Sequence, residues 1–250
     1  MKKIKIKTPE EIKIMRKAGA ILKATQDKIR PHVKAGVTLK YIDELAEKEI
    51  RSQGSEPAFK GLYGFPATCC MSVNSTVVHG IPDDYKLQDG DLISIDCGVI
   101  YKNMFSDATF SVVVGGDHKH PERAKFSSCV RDALIAGCEA AKSGNHIGDI
   151  GHAIQSVIKK GGYSVCREYG GHGLGKELHE DPFVFNYGRP GTGMKLAAGM
   201  TLAIEPVIAS GLGNVKTMED GWGVVTVDGK DACQWEHCGV VTDDGLEVFA

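Results

Sequence analysis

Asp96 and Asp107 lie within Ile93–Val112, ISIDCGVIYKNMFSDATFSV, a stretch that otherwise reads as a buried β-hairpin. A carboxylate in an apolar strand is unfavourable unless a partner offsets its desolvation. A hairpin turning at Tyr101-Lys102 pairs residues whose numbers sum to 203, so Asp96 stands directly across from Asp107, with Cβ atoms about 5 Å apart. Ser94, Asp96, Asp107, Thr109 and Ser111 then share one face, and Ile93, Ile95, Cys97, Ala108, Phe110 and Val112 take the other. Opposed like charges call for a cation or a shared proton. Two solvated aspartates on an open sheet face are the competing reading.

More acids point to the cation. Gly90–Asp96, GDLISID, matches Gly199–Glu205, GMTLAIE, at an offset of 109, which sets Glu205 at the position of Asp96. Glu236 is a further acid in a strand that follows a turn. Four acids on one concave sheet face would repel unless multivalent metal neutralised them. Carboxylates with an imidazole suit Mn, Fe, Co or Zn, and bridging carboxylates suit a pair of ions. The imidazole expected is His172, in Tyr169-Gly170-Gly171-His172-Gly173-Leu174-Gly175, where the glycines allow close backbone approach or unusual dihedrals. A nucleotide loop is disfavoured, because the GxGxxG spacing is missing and no helix pattern follows directly. His79 and His179 each open a His-x-x-Pro, one in either half, and read as a pair above the metals. Taken singly, each histidine reads equally well as a hydrogen-bonded loop residue.

The elements that must hold these groups repeat. Leu39, Ile42, Ala46, Ile50 and Gly54 match Ile147, Ile150, Ile154, Ile158 and Gly162 at an offset of 108, with helical spacing and a terminal Gly. Thr8-Pro9-Glu10-Glu11 is a helix start with a capping box, and that helix runs to Arg30-Pro31. Further helices are expected over 39–53, 122–141 and 147–160. Strands are expected over 70–78, 92–97, 105–114, 201–207, 223–227 and 233–241, with Asp228-Gly229 as the hairpin turn between the last two. The N-terminal KKIKIK alternates as an exposed edge strand would. Helices before strands, twice, predict an α+β fold with antiparallel sheet and helices on one side. The chain is expected to form one domain, 1–250, with pseudo-twofold halves of approximately 1–118 and 119–250.

Bulk properties exclude several classes. Lys plus Arg number 30 against 32 acids, a net charge of −2, so no basic excess suggests a sequence-specific nucleic-acid partner. Charged residues at 25% and apolar residues at 42% exclude disorder. No apolar run approaches the roughly 18 residues a membrane span needs, and no secretory signal pattern opens the chain. The eight cysteines are accordingly expected to be reduced thiols of a cytoplasmic protein. They lack the paired spacing of a structural zinc site.

Segments 87–113, 168–182, 199–206, 218–223 and 234–237 resemble the five metal-binding segments of the pita-bread metallopeptidases. Val78-His79-Gly80-Ile81-Pro82 and the short length are similar to the type I methionine aminopeptidase family, with no room for the late helical insertion of type II. The resemblance spans nearly the whole chain. It implies a pita-bread fold and two divalent metal ions (Co, Mn, Fe or Zn). Asp96 would bind one ion, Asp107 and Glu236 would bridge both, and His172 and Glu205 would complete the other, with Thr109 and His237 orienting ligands. It also implies hydrolytic removal of initiator methionine from nascent polypeptides whose second residue is small. Glu205 would carry the proton, His179 would stabilise the oxyanion and His79 would position the scissile amide. Phe65, Cys70 and Trp222 would wall the methionine pocket, with Cys69 and Leu178 nearby. Leu62 and Phe65 stand where tyrosines are frequent, and Leu178 where an aromatic is common, which bears on pocket shape. A monomer is expected, with a ribosome contact left open. A dipeptidase or imidopeptidase on the same fold, and a binding module without catalysis, are the rival readings.

Overall fold

Thr8 begins the structured chain: its side chain accepts from Glu11 N, and the Glu11 side chain accepts from Thr8 N. This reciprocal cap starts α1 (Pro9–Ile29). The computed structural model describes residues 4–250. α2 (Leu39–Ser52) is capped by the Thr38 side chain. α3 spans Pro121–Ala140, and α4 (Ile147–Gly161) ends at Gly162 with φ 81°. All four helices fall within two residues of their expected bounds, since caps and apolar spacing are local signals.

The strands form four antiparallel sheets rather than one. Leu92–Tyr101 pairs with Met104–Val113 on one side and with Cys69–Val73 and Glu56–Pro57 on the other. A five-stranded sheet runs in the order Leu246–Val248, His237–Val241, Thr201–Ile204, Gly170–Gly173, Glu180–Phe185. Two three-stranded sheets join Ala232–Gln234 to Val207–Ala209 and Ser164–Val165, and Val215–Thr217 to Val224–Thr226 and Thr76–Val78.

Several expectations are corrected. The hairpin turns at Lys102-Asn103, both with positive φ (47° and 60°), and Tyr101 pairs with Met104. The register sum is therefore 205: Asp96 faces Thr109, and Asp107 faces Gly98. Asn tolerates the left-handed region better than most residues, and it draws the turn one residue along. Because both numberings keep the same parity, the two aspartates still share a face. The runs 201–207 and 233–241 are each broken, at Glu205-Pro206 and at Trp235-Glu236. At these breaks the first segment crosses from the five-stranded sheet to a three-stranded one and the second crosses back, and both acids sit at the crossings. Asp228-Gly229 does turn the chain, but Val224–Thr226 pairs with Val215–Thr217 and Thr76–Val78, not with the strand that follows. Of KKIKIK, Lys2 and Lys3 lie outside the described residues. Residues 4–7 form no strand, and Lys7 is buried in an ion pair with Glu180.

Equivalent hydrogen bonds recur in the two halves. Gly36 N donates to Leu87 O and Gly144 N to Leu196 O, at 2.8 and 3.0 Å. Bridges Thr38–Lys86 and His146–Lys195 repeat at nearly the same offset. Gly90 and Gly199 both take positive φ, 97° and 87°. α1 and α2 pack on the central hairpin through Met15, Leu22, Ile42, Ile93, Ile95 and Phe110, in a core that also contains Leu174, Ala203 and Cys238 from the second half. α3 and α4 cover a second core that includes Ile150, Ile154, Leu202, Ile204 and Ile208. Burial of about 1.5–3 kcal/mol per large apolar side chain makes these cores the main support of the acidic face opposite.

Candidate active site

The hairpin presents Asp96 beside Cys70, its partner in the Cys69–Val73 strand, and carries Asp107 on the same face. His172 stands in Gly170–Gly173 between two close backbone approaches. A Cβ on Gly171 would strike the Ala203 carbonyl, and one on Gly173 the Asp181 carbonyl. Neither glycine has positive φ, so close packing is the reason for them. His172 Nδ1 donates to Gly173 O at 2.9 Å, which leaves Nε2 as the free nitrogen, 3.8 Å from Asp107 Oδ2. Asp107, His172 and Glu236 each offer an atom within 4.8 Å of the others. With Asp96 and Glu205 they line a single cavity of about 850 Å³.

Thr109 Oγ1 donates to Glu236 Oε2 at 2.9 Å, and Gln234 Nε2 donates to Glu205 Oε2 at 2.9 Å. Asp96 Oδ1, Asp107 Oδ1 and Glu236 Oε1 are buried without a hydrogen-bond partner among the described residues. Three orphaned carboxylate oxygens beside a free imidazole nitrogen fit hard or borderline divalent cations. The electrostatics agree. Burial pushes the Asp96 carboxyl up to about 7. Burial, then neighbouring carboxylates, holds Asp107, Glu205 and Glu236 well above the ordinary range. Burial, reinforced by His179, lowers His172 to about 4. A divalent cation would reverse the penalty on every one of these acids.

His79 and His179 line the same cavity. His79 holds φ 59°, a conformation that non-glycine residues adopt only where the surroundings enforce it. Its ring meets Tyr169 edge-on at 5.9 Å, while His179 stands edge-on to His172 at 4.5 Å. Desolvation lowers both imidazoles below their ordinary value, and His179 adds to the effect on His79.

Beside the acids, Phe65, Cys70 and Leu178 cluster with Ala58, Phe59 and Ala67. Trp222 closes edge-on upon Phe65 at 5.2 Å. Cys69 is not part of this wall: strand alternation turns it to the helix-side core, opposite Cys97. Phe59 was missing from the expected wall, because nothing in its local sequence ties it to the hairpin. Gln234 and Asn186 were missed too. Asn186 Nδ2 donates to Glu205 O at 2.8 Å and so fixes the crossing segment. Gln234 lies two residues before Glu236, and same-face parity is the signal that points to it. His237 Nδ1 meets Ala250 O at 2.9 Å, which ties it to the C-terminus.

Two repeated halves that converge carboxylates and one imidazole on an apolar pocket define a metal-dependent hydrolase of pita-bread fold. The model of metallopeptidase family M24 matches residues 13–243, and the chain belongs to that family. It is 44% identical over 244 residues to the methionine aminopeptidase of Clostridium perfringens, covering 98% of this chain and 97% of the relative. It is 42% identical over 243 residues to methionine aminopeptidase 1 of Bacillus subtilis, covering 97% of each. The crystal structure of the methionine aminopeptidase from Rickettsia prowazekii superposes with TM-score 0.95 at 40% identity, covering 99% of both chains. Family membership carries the use of divalent metal.

Proposed function

We propose that this chain is a methionyl aminopeptidase: it hydrolyses the first peptide bond of polypeptides that begin with methionine and continue with a small residue. The observation that carries this reading is the set of orphaned oxygens of Asp96, Asp107 and Glu236, beside an apolar wall of Phe65, Cys70, Leu178 and Trp222. An unbranched, polarizable methionine side chain suits such a wall. The 44% identity to the Clostridium perfringens enzyme across the chain supports the same substrate.

Asp96, Asp107, His172, Glu205 and Glu236 would hold two divalent ions. Bound there, the ions would polarise the scissile carbonyl and acidify a water. Asp96 also attracts the substrate's α-ammonium group to this end of the cavity. With Oε2 held by Gln234, Glu205 accepts a proton at Oε1 and returns it to the leaving amine. The lowered pKa values of His79 and His179 keep both imidazoles neutral at pH 7, each with one N–H donor. His179 donates to the carbonyl oxygen as negative charge develops there, and His79 holds the scissile amide in its strained loop.

The same reading makes residues 1–250 one catalytic domain, acting as a monomer on nascent N-termini in the cytoplasm. No described helix is long and apolar enough to cross a membrane. Incubating Mn- or Co-loaded protein anaerobically with Met-Ala-Ser and Met-Lys-Ser tests the function. Methionine should be released from the first and scarcely from the second. No release from Met-Ala-Ser overturns the reading, and faster cleavage of X-Pro substrates reassigns the chain to imidopeptidase activity.

A further inference from the structure

A second groove, of about 840 Å³, lies between α4 and the segment that follows His179. Phe183 lines both this groove and the catalytic cavity, so the two adjoin at its ring. Phe183 is the cross-strand partner of His172, and its ring therefore rises on the face that carries the site. From there a ladder of rings leads away: Phe183 to Phe185 at 4.7 Å, then Phe185 to Tyr187 at 5.3 Å. Phe183 and Phe185 are 40% and 43% exposed, and two adjacent half-open phenyl rings mark a contact surface more than a solvated one.

The charges change sign along this path. Acids predominate in the catalytic cavity, where Glu168, Glu177, Glu180 and Asp181 outnumber the cations Lys5 and Lys176. The outer groove is lined by Lys159, Arg167 and Arg189 and, among the described residues, by no carboxylate. None of these three cations forms an ion pair among the described residues. Arg167 instead lies over the Tyr187 ring, 4.4 Å from its centroid. In a chain of net charge −2, such a local excess of unpaired cations is a feature to explain. A polypeptide with its α-ammonium at the acidic end and carboxylates further along matches both ends of this gradient.

We propose that this groove binds the distal part of the polypeptide substrate and favours acidic residues there. The proposal rests on the aminopeptidase reading above. With the first residue at the acids and the next two crossing the mouth, the chain meets Phe183 and follows the ladder to Tyr187. The two ring-to-ring steps, 4.7 and 5.3 Å, match about three extended residues at roughly 3.3 Å each, which seats about the fourth to sixth substrate residues. Lys159, Arg167 and Arg189 pair with acids at those positions, while the rings cover the intervening apolar surface. Lysines at the same positions meet uncompensated positive charge.

The test compares kcat/KM for three substrates on the Mn-loaded enzyme: Met-Ala-Ser, Met-Ala-Ser-Glu-Asp-Glu-Asp and Met-Ala-Ser-Lys-Arg-Lys-Arg. Cleavage of the tripeptide checks the aminopeptidase reading by itself. The acidic heptapeptide should exceed the basic one about five- to tenfold, the scale of two or three exposed charge contacts. K159E/R167E/R189E should abolish or invert that ratio. K17E/K34E/K48E, which reverses three exposed charges on other faces, should preserve it. If the groove variant does not fold, the wild type decides, because its acidic preference must shrink as NaCl rises from 50 to 500 mM. A ratio near one in the wild type overturns the proposal. So does equal loss of the ratio in both triple variants. Binding of a uridine octanucleotide by the wild type but not by the groove variant, without discrimination between the heptapeptides, would assign the groove to single-stranded RNA instead.

Discussion

Thr109 and Glu236 are joined three times. Glu236 N donates to Thr109 O at 3.0 Å, Thr109 N to Glu236 O at 3.4 Å, and Thr109 Oγ1 to Glu236 Oε2 at 2.9 Å. The first-half hairpin thus carries the second-half acid at its crossing point, and the hydroxyl leaves only Oε1 free. Thr109→Val keeps both backbone bonds and removes the third. Metal affinity should fall about 10–100-fold, as for loss of other groups that orient ligands, while Thr109→Ser restores it. Calorimetric titration with Mn separates these variants, and unchanged affinity in Thr109→Val would show that the hydroxyl is only structural.

Asp107→Asn and Glu236→Gln keep size and remove charge from two of the three acids with orphaned oxygens. Each should lose turnover by more than the 10–100-fold expected for an outer-shell group, with a matching fall in bound metal by elemental analysis. Full metal content in an inactive variant would refute the bridging assignment.

The pH dependence of metal binding follows from the acids. Asp96, raised to about 7, is protonated at pH 5.5 and must release that proton to bind metal. In the metal-free protein, a carboxyl raised in the folded state contributes stability below its unfolded pKa, and that contribution is lost as pH rises through about 7. At pH 8 Asp96 is ionised among the other acids, and a divalent ion offsets that buried charge. The rise in Tm on adding Mn to chelator-treated protein should therefore be larger at pH 8 than at pH 5.5, with proton release at the lower pH. An increment independent of pH would contradict the assignment.

Trp222 packs edge-on against Phe65 at 5.2 Å in the pocket wall. Trp222→Ala should lower kcat/KM for Met-Ala-Ser about tenfold, consistent with about 1.5 kcal/mol of lost apolar contact. The loss should appear mainly in KM, because the ring contacts the side chain and not the reacting bond.

Gly171→Ala inserts a Cβ against the Ala203 carbonyl. The strands must separate there, so stability should fall by about 1–3 kcal/mol. A lower urea midpoint with an unchanged m-value checks this.

Helix bounds, the acids, His172, and the two flanking histidines were legible because each depends on short-range pattern: caps, apolar spacing, repeat offset and motif. The hairpin register was not. One residue's turn conformation at Asn103 moved Asp96 from Asp107 to Thr109, and tandem polar residues around the turn do not distinguish these alternatives. The strand breaks at Glu205 and Glu236 were equally hidden, since crossing between sheets depends on which partners lie alongside. Cys69 and Cys70 look alike in sequence, yet alternation sends one to the core and the other to the pocket.

By itself the sequence determined which acids and histidines are candidates for the chemistry and which helices support them, because those features are encoded within a turn or two of chain. The tertiary structure alone decided how the acids meet. Thr109 reaches Glu236 across 127 positions and Gln234 reaches Glu205 across 29, contacts set by sheet crossing and core packing. It also joined the rings of Phe183, Phe185 and Tyr187 to cations from α4 and two loops. No local pattern specifies such a surface, since each of its members is ordinary until packing brings them together.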